Sequence, residues 1–223
     1  IDSVLDQTFA GFELVILDDG STDESWEIIS SYKDPRIKAF KSLPNNLVSN
    51  VRTAIEAART EYIAIHHSDD VWELNKVEKQ VAFLDDHPEI GAVFSRAQII
   101  DENGNPFQDP HHYYARAFEQ PNRTRHEWLN FFFYHGNALC HPSLLIRRAC
   151  YTECGLYRYG LAQLPDFDMW VRLCLKYEIH ILPERLVRFR IRANEANTSG
   201  NRPEARIRWH FEFLRVLENY KLL

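Results

Sequence analysis

The chain has 223 residues, of which 45% are hydrophobic and 26% are charged. This length and composition fit one folded domain with a sizeable core, alone or with a tail, and exclude a small scaffold that needs disulfides. The net charge of -6 argues against nucleic acid as the main partner, because phosphate binding needs a basic surface. No apolar run approaches the roughly 20 residues that cross a bilayer, and no signal segment opens the chain. We therefore expect a cytoplasmic domain.

The first unit in chain order is a strand followed by a helix. Residues 13–17 form a short apolar run that ends on the turn sequence 18–20, Asp-Asp-Gly, which predicts a buried strand. Ser21 and Glu24 have the spacing of a capping box, so we expect a helix that runs from there to about Tyr32.

The same order recurs further along the chain. Residues 54–58 predict a helix, residues 61–65 predict a strand, and residues 66–70 form the loop at its carboxyl end. This loop ends on Asp69 and Asp70, so a second pair of adjacent carboxylates follows a second strand. In open α/β sheets ligands bind beyond the carboxyl ends of the strands, which is where both acidic loops are expected.

The remaining segments continue the alternation of apolar runs and amphipathic stretches that is typical of an α/β domain. We expect helices at 74–87, 124–134 (opened by a capping box of Thr124 and Glu127) and 167–177, strands at 91–94, 179–182 and 186–191, and a long loop at 101–123.

The last segment, residues 200–223, is an amphipathic helix. Ile207, Phe211, Leu214 and Leu217 repeat every three to four residues and predict one apolar face. Packing of this face on the domain is the simplest expectation, and a partner protein or a membrane surface are the alternatives.

The two acidic loops suggest a chemistry. Asp18 and Asp19 are suited to hydrogen-bond a base or ribose, and Asp69 and Asp70 supply the oxygen ligands that Mg²⁺ or Mn²⁺ prefers. A metal that bridges two phosphates would neutralise charge on a departing diphosphate. Neither a Walker A nor a GxGxxG pattern occurs, so metal and side chains would hold the phosphates. Turn and helix-cap roles are the structural alternative for each acidic pair.

Four segments of the sequence resemble the family-two glycosyltransferases, which include many bacterial enzymes that build surface polysaccharides and glycolipids. The resemblance covers about residues 1–199 and is carried by Ser3-Val4-Leu5-Asp6-Gln7-Thr8 with residues 12–23, by Ser68-Asp69-Asp70-Val71-Trp72 with Lys76 and residues 78–80, by His141-Pro142-Ser143 with residues 146–148 and 155–157, and by residues 166–173.

This resemblance implies a GT-A, Rossmann-like α/β fold, with a mostly parallel sheet flanked by helices. Residues 1–199 would form the glycosyltransferase domain and residues 200–223 a C-terminal helix. It also implies an inverting, metal-dependent transfer, in which Asp166 removes the proton of an acceptor hydroxyl that attacks the anomeric carbon.

The resemblance further implies roles for individual residues. Asp18 or Asp19 would contact the base, Arg52 would approach the nucleotide, and Asp69 and Asp70 would hold the ribose and an Mn²⁺ or Mg²⁺ ion. Three further residues are expected on the acceptor or diphosphate side, namely His141, Asp168 and Arg192.

The chain departs from the family pattern at four places. The usual first strand is missing, because Ile1 falls within the helix that should follow it. His67 replaces the first acid of the metal motif, which leaves Asp69, Asp70 and a histidine as candidate ligands. Leu47 replaces a glycine and the asparagine expected after Arg52 is missing. Arg192 stands in place of a histidine.

The implied partners are a nucleotide-sugar donor, foremost a UDP-sugar, and a glycan, glycolipid or glycoprotein acceptor. Association with the inner face of a membrane is an alternative to a purely cytoplasmic location. Two other functions fit the same acidic loops. One is a sugar nucleotidyltransferase, and the other is a non-catalytic subunit that binds nucleotide-sugar. Neither the sugar nor the acceptor follows from sequence, since both depend on pocket shape.

Overall fold

The structure, a computed structural model, describes residues 1–42, 47–109, 111–192, 197 and 202–223. In these ranges the chain alternates strands and helices. The strands are β1 (Leu14–Asp18), β2 (Ile37–Lys41), β3 (Tyr62–Ala64), β4 (Val71–Trp72), β5 (Ile90–Ile100), β6 (Leu145–Arg147) and β7 (Glu178–Arg190). The helices are α1 (Asp2–Leu5), α2 (Ser25–Ser31), α3 (Leu47–Ala57), α4 (Lys76–Asp86), α5 (Tyr113–Ala117), α6 (Arg125–His135), α7 (Arg148–Cys154), α8 (Pro165–Cys174) and α9 (Pro203–Leu217).

The strands form two sheets. β1 and β2 pair in parallel, and a five-stranded sheet has the order β3-β6-β5-β7-β4. In this larger sheet β5 and β7 are parallel, whereas the other neighbours are antiparallel. The α/β class is therefore confirmed, but the pairing is mixed instead of mostly parallel. The difference comes from β4 and β6, which are two and three residues long and too short to be recognised by periodicity.

The strand directions explain where the second acidic loop lies. β3, β5 and β7 run in the same direction, so their carboxyl ends meet at one edge of the sheet. β3 and β4 are the two outer strands of this sheet. The loop that joins them, residues 65–70, must therefore cross the carboxyl ends of the strands between them. This crossing brings the loop next to the end of β7.

A cleft separates the two sheets. β1 pairs only with β2, and β3 pairs only with β6, among the residues that the structure describes. Residues 14–17 of β1 and residues 62–64 of β3 line the same cleft. No described strand lies between them.

The main core lies between the five-stranded sheet and helices α6, α7 and α8. Phe94 on β5 meets Trp170 on α8 edge to face, with 4.9 Å between ring centroids. Trp128 and Phe132 on α6 are fully buried and stack at 5.2 Å. Burial of such aromatic side chains provides a large share of the stability of a domain.

Two predicted helix starts have different outcomes. Thr124 and Glu127 form the predicted capping box, in which Thr124 accepts the N–H of Glu127 and Glu127 accepts that of Thr124. The capping box expected of Ser21 and Glu24 is wrong, because α2 begins at Ser25 and has no side-chain cap. The N–H of Ser21 instead donates to the Asp18 carboxylate at 3.3 Å.

The structure also differs from the prediction of a long loop at 101–123 and of two C-terminal strands. Residues 101–123 contain α5 and an isolated bridge between Ile100 and Pro106. The expected strands at 179–182 and 186–191 are one strand, β7, since its pairing with β5 continues through register shifts near Arg96.

Helix α9 packs on the domain through a buried carboxylate. Glu212 accepts backbone N–H groups from residues 162, 163 and 164 at 2.9, 2.9 and 2.7 Å. These residues lead directly into α8. The inner face of α9 also carries Ala205 and Val216, which are buried.

The predicted apolar face of α9 is on the opposite side. Ile207, Phe211 and Leu214 are 61%, 70% and 62% exposed, so the expectation that this face packs on the domain is wrong. The bonds of Glu212 orient the helix with its other side inward. None of the helices in the described ranges has the length and apolar character needed to cross a bilayer.

Candidate active site

Asp70 lies at the centre of the second acidic loop and is buried. Its side chain is 1% exposed, and its Oδ1 atom accepts the backbone N–H of Arg190 at 2.8 Å. Its Oδ2 atom has no hydrogen-bond partner among the described residues. Burial raises the pKa of Asp70 to about 7. A buried, unpaired carboxylate oxygen is costly, so this atom is a candidate ligand for a cation.

Asp69 is the more accessible of the two aspartates. Its side chain is 21% exposed, and its Oδ2 atom forms an ion pair with Arg192 Nε at 3.0 Å. The backbone oxygen of Asp69 accepts a bond from Arg190 Nε at 2.7 Å. The end of β7 therefore holds the loop, and two residues predicted for the site, Asp69 and Arg192, are in direct contact.

His67 completes a cluster with the two aspartates. One ligand atom each from His67, Asp69 and Asp70 lie within 4.8 Å of one another. His67 Nδ1 is 3.7 Å from the orphaned Oδ2 atom of Asp70. Two carboxylates and one imidazole suit a divalent cation, so the residues present fit the metal that the family resemblance implies.

A chain of hydrogen bonds extends from His67 into the domain. Its Nε2 atom is 3.3 Å from His141 Nδ1, and His141 Nε2 is 2.9 Å from the hydroxyl of Tyr157. That hydroxyl is 3.2 Å from the hydroxyl of Tyr151. Burial lowers the pKa of His141, so the ring is neutral at neutral pH. The sequence predicted His141 but not the two tyrosines.

Asp166 lines the same cleft as His67, Asp69 and Arg192. It is the second residue of α8, and the N-cap position belongs to Leu164. Asp166 is therefore not the N-cap residue, although the backbone N–H groups of Phe167 and of Asp166 itself face its carboxylate. Asn137 Nδ2 donates to its Oδ2 atom at 3.0 Å. Its surface remains partly accessible, yet burial raises the pKa of Asp166 to about 6.

Asp168 has a structural environment, in contrast to the expectation of an acceptor-side residue. It has no accessible surface and forms ion pairs with Arg158 at 3.1 Å and Arg172 at 2.8 Å. Asn219, just after α9, also donates to it at 2.9 Å. These contacts direct the carboxylate into the protein and away from the cleft.

The first acidic loop forms its hydrogen bonds with residues close to the two-stranded sheet. Asp18 is 4% exposed, and its carboxylate accepts the N–H of Ser21. Asp19 Oδ1 accepts bonds from Ser42 Oγ at 3.3 Å and Asn50 Nδ2 at 3.2 Å. Asn50 was not predicted, although it lies two residues before Arg52.

Arg52 connects α3 to the loop before α8. It donates to the backbone oxygen of Tyr157 at 2.7 Å and lies over the ring of Tyr159, 4.5 Å from its centroid. Its guanidinium therefore contacts the backbone of Tyr157, the residue whose hydroxyl is hydrogen-bonded to His141. Leu47, the predicted departure, begins α3.

The sequence profile of glycosyl transferase family 2 matches residues 1–148, more than half of the chain. The chain belongs to this family. A glycosyltransferase of Methanocaldococcus jannaschii whose function is uncharacterized is 28% identical over 86% of this chain and 64% of its own length. An Escherichia coli glucosyltransferase, WfaP, which transfers from UDP-Glc to α-D-GlcNAc-diphosphoundecaprenol, is 37% identical over 38% of this chain and 34% of its own length.

Solved structures of glycosyltransferases have the same fold. Staphylococcus aureus TarS in complex with UDP-GlcNAc superposes with a TM-score of 0.71, at 20% identity, over 97% of this chain and 61% of that one. The Pyrobaculum calidifontis mannosyltransferase PcManGT, in complex with GDP-Man and Mn²⁺, has a TM-score of 0.64 at 15% identity, over 100% of this chain and 59% of that one. The GT-A fold of this family 2 chain is thereby confirmed. The chain spans less than two thirds of the length of these relatives.

The family profile and the site overlap only in part. His67, Asp69, Asp70 and His141 lie within residues 1–148, whereas Asp166 lies beyond them. The proposed role of Asp166 therefore depends on its position in the cleft and on the surroundings of its carboxyl group.

Proposed function

We propose that this family 2 chain transfers a sugar from a nucleotide-diphosphate sugar to an acceptor hydroxyl with inversion at the anomeric carbon. The observation that carries the proposal is the cluster of His67, Asp69 and Asp70, whose ligand atoms lie within 4.8 Å of one another, in a chain that belongs to family 2. Asp166, a carboxyl group of raised pKa, lines the same space as His67 and Asp69, where a donor and an acceptor can meet.

Asp166 is the proposed general base. Its ionised form takes the proton of the acceptor hydroxyl while the acceptor oxygen forms a bond to the anomeric carbon. The bond from that carbon to the diphosphate breaks, and the nucleoside diphosphate leaves. A pKa of about 6 keeps Asp166 ionised at neutral pH and leaves it a stronger base than an exposed aspartate. Asn137 holds the carboxyl group in position through its bond to Oδ2.

Asp69 and Asp70 are proposed to hold Mn²⁺ or Mg²⁺ next to the donor. When bound, the ion would neutralise charge on the leaving diphosphate. Arg192, half-exposed and paired with Asp69, lies where it can add a second positive charge for the phosphates. On the other side of the cleft, Asp18 and Asp19 are proposed to contact the base or ribose, and Arg52 to hold the segment that faces the nucleotide.

A UDP-sugar is the proposed donor, and a glycan, glycolipid or glycoprotein is the proposed acceptor, in the synthesis of a bacterial cell-surface glycan. TarS with UDP-GlcNAc and the WfaP glucosyltransferase support this choice of donor class. PcManGT with GDP-Man supports the nucleotide-diphosphate part of the donor and supports Mn²⁺.

We also propose that the chain works in the cytoplasm at the inner face of a membrane, with the exposed stripe of α9 against anionic lipid. Ile207, Phe211 and Leu214 form the stripe, and exposed arginines flank it on both sides, with Arg206 on one side and Arg208 and Arg215 on the other. Apolar side chains bordered by positive charge are the pattern of a helix that lies in a membrane interface.

Vesicle flotation tests the membrane part of the proposal. We expect the protein to float with phosphatidylglycerol vesicles and not with phosphatidylcholine vesicles, and Phe211→Ser to reduce flotation. Ile28→Ser is the matched control, because Ile28 is an exposed apolar residue on α2 (53%). Equal flotation with both lipids, or no effect of Phe211→Ser, would contradict the proposal.

A donor panel with acceptors tests the transfer itself. Release of free nucleoside diphosphate from one sugar nucleotide, dependent on an added acceptor, is the expected result. Formation of a sugar nucleotide from a sugar phosphate and a nucleoside triphosphate would instead indicate a nucleotidyltransferase. Donor binding by calorimetry without turnover, for every acceptor class, would indicate a non-catalytic binding subunit.

A further inference from the structure

The cluster around Asp70 contains two potential metal ligands that face each other without a hydrogen bond between them. Asp70 Oδ2 is buried, has no hydrogen-bond partner among the described residues, and faces His67 Nδ1 at 3.7 Å. This separation exceeds the roughly 2.7–3.2 Å of a hydrogen bond, so a proton alone does not join the two atoms. A metal ion with ligand distances of about 2.0–2.2 Å reaches both.

The hydrogen bond of His67 Nε2 determines which ring nitrogen of His67 can bind a cation. When Nδ1 keeps its lone pair for a cation, Nε2 carries the proton and donates to His141 Nδ1 at 3.3 Å. His141 then donates from Nε2 to the hydroxyl of Tyr157 at 2.9 Å. Histidine ligands commonly donate their other N–H in this way, and such outer partners set the tautomer and the ring orientation.

His66, the preceding residue, does not compete for this role. Its ring packs edge to face with Trp72 at 4.8 Å between centroids. The two adjacent histidines thus have different surroundings, and only His67 is grouped with the two aspartates.

We propose that His67 binds the divalent cation through Nδ1 and makes the site favour transition-metal ions such as Mn²⁺ and Co²⁺ over Mg²⁺, with His141 and Tyr157 as positioning residues. Imidazole nitrogen is a good ligand for transition metals, whereas Mg²⁺ prefers oxygen. This inference rests on the proposed function only for the presence of a metal at the donor site. It adds the identity of a ligand and a preference among ions.

Pulsed electron paramagnetic resonance of the full chain with Mn²⁺ and UDP tests the ligand directly. We expect ¹⁴N modulation from a coordinated imidazole in the natural protein, retained in His126→Gln, an exposed control on α6, and lost in His67→Asp. Bound Mn²⁺ without ¹⁴N modulation in the natural protein would overturn the proposal, and this measurement needs no variant to fold. Persistence of the modulation in folded His67→Asp would overturn it as well.

Competition between Mn²⁺ and Mg²⁺ tests the preference. We expect His67→Asp to shift the order of affinities toward Mg²⁺, and an unchanged order would overturn the proposal. His141→Leu should weaken Mn²⁺ binding by about 10–100-fold, and His141→Asn, which keeps an acceptor for His67 Nε2, should restore part of it. Equal Mn²⁺ affinity in His141→Leu would remove His141 as a positioning residue.

These outcomes are separable from failure of the proposed function. Glycosyl transfer with Mn²⁺ bound only by oxygen would leave the function intact and reject His67 as a ligand. If no divalent ion binds with UDP, both the His67 proposal and the metal dependence of the proposed reaction are rejected.

Discussion

The two acidic loops look alike in sequence and differ in the structure. Asp18 and Asp19 follow β1 of the two-stranded sheet, and they accept hydrogen bonds from Ser21, Ser42 and Asn50 in that half of the molecule. Asp69 and Asp70 follow β3 of the five-stranded sheet and are joined to the end of β7, more than a hundred residues away in the chain. The second loop also has an imidazole, that of His67, and a buried oxygen, Asp70 Oδ2, that has no hydrogen-bond partner among the described residues.

This difference suggests a division of labour across the cleft. The half with the five-stranded sheet holds the proposed metal site, on a loop bonded to the end of β7, and the proposed base, at the start of α8. The half with the two-stranded sheet has short elements and mostly half-buried residues, and suits recognition of the nucleotide. Substitutions in the first half should change turnover or metal dependence, and those in the second should change donor affinity alone.

The largest effect is expected from Asp166→Asn. Asparagine keeps the shape and cannot accept the acceptor proton, so kcat should fall by roughly a hundredfold to ten-thousandfold while nucleotide affinity is unchanged. Turnover at saturating donor and calorimetry with UDP measure the two quantities. Asp86→Asn, an exposed change on α4, is the control. Near-normal turnover of Asp166→Asn would move the base elsewhere.

Asp69→Asn should weaken metal-dependent donor binding by more than the roughly 10–100-fold that loss of an outer-shell partner costs. The reason is that Asp69 is the accessible carboxylate of the cluster. Calorimetry with UDP, with and without Mn²⁺, measures this effect. Asp19→Asn is the matched change on the other loop and should keep the Mn²⁺ dependence. The comparison of the two loops fails if both variants lose it equally.

The pH dependence of turnover should reflect Asp166. A base with a pKa of about 6 is protonated, and therefore inactive, at lower pH. We expect kcat to be constant above about pH 6 and to fall by about tenfold for each pH unit below it. A profile of kcat from pH 4.5 to 8 shows this fall. The fall of kcat at low pH should be absent from Asp166→Asn. If this variant shows the same fall, another group is responsible for it.

The smallest effect is expected from Asp19→Asn on donor affinity. Replacing a charged acceptor by a neutral one at a partly exposed site should cost about 1 kcal/mol, which is roughly fivefold in affinity, with kcat unchanged. Initial rates over a range of donor concentrations separate KM from kcat. A fall in kcat would show that this loop takes part in the chemistry. It would contradict the claim that the half with the two-stranded sheet affects donor affinity alone.

Sequence alone predicted the α/β class and the strands that lead into both acidic loops, because short apolar runs that end on paired aspartates are local signals. It missed β4 and β6, which are too short to show a period. It placed the buried face of α9 on the wrong side, since the bonds of Glu212 are made to residues about 50 positions earlier in the chain.

The sequence supplies candidate site residues but not the contacts among them. His67 and His141 are 74 residues apart, and nothing in the chain between them signals that their rings meet. Likewise Asp166 and Asp168 are two residues apart in one motif, and only burial among Arg158, Arg172 and Asn219 separates the structural residue from the candidate base.

The contacts of Glu212 bear on how the chain should be trimmed for expression. The predicted boundary after residue 199 divides a catalytic domain from a tail, yet Glu212 supports the backbone of residues 162–164, immediately before the segment that carries Asp166. Asn219, further along the same tail, contacts Asp168 on the helix that begins there. A protein shortened at residue 199 would leave three N–H groups without their acceptor, so low activity of such a protein would report damage to the active site and not the loss of a dispensable helix.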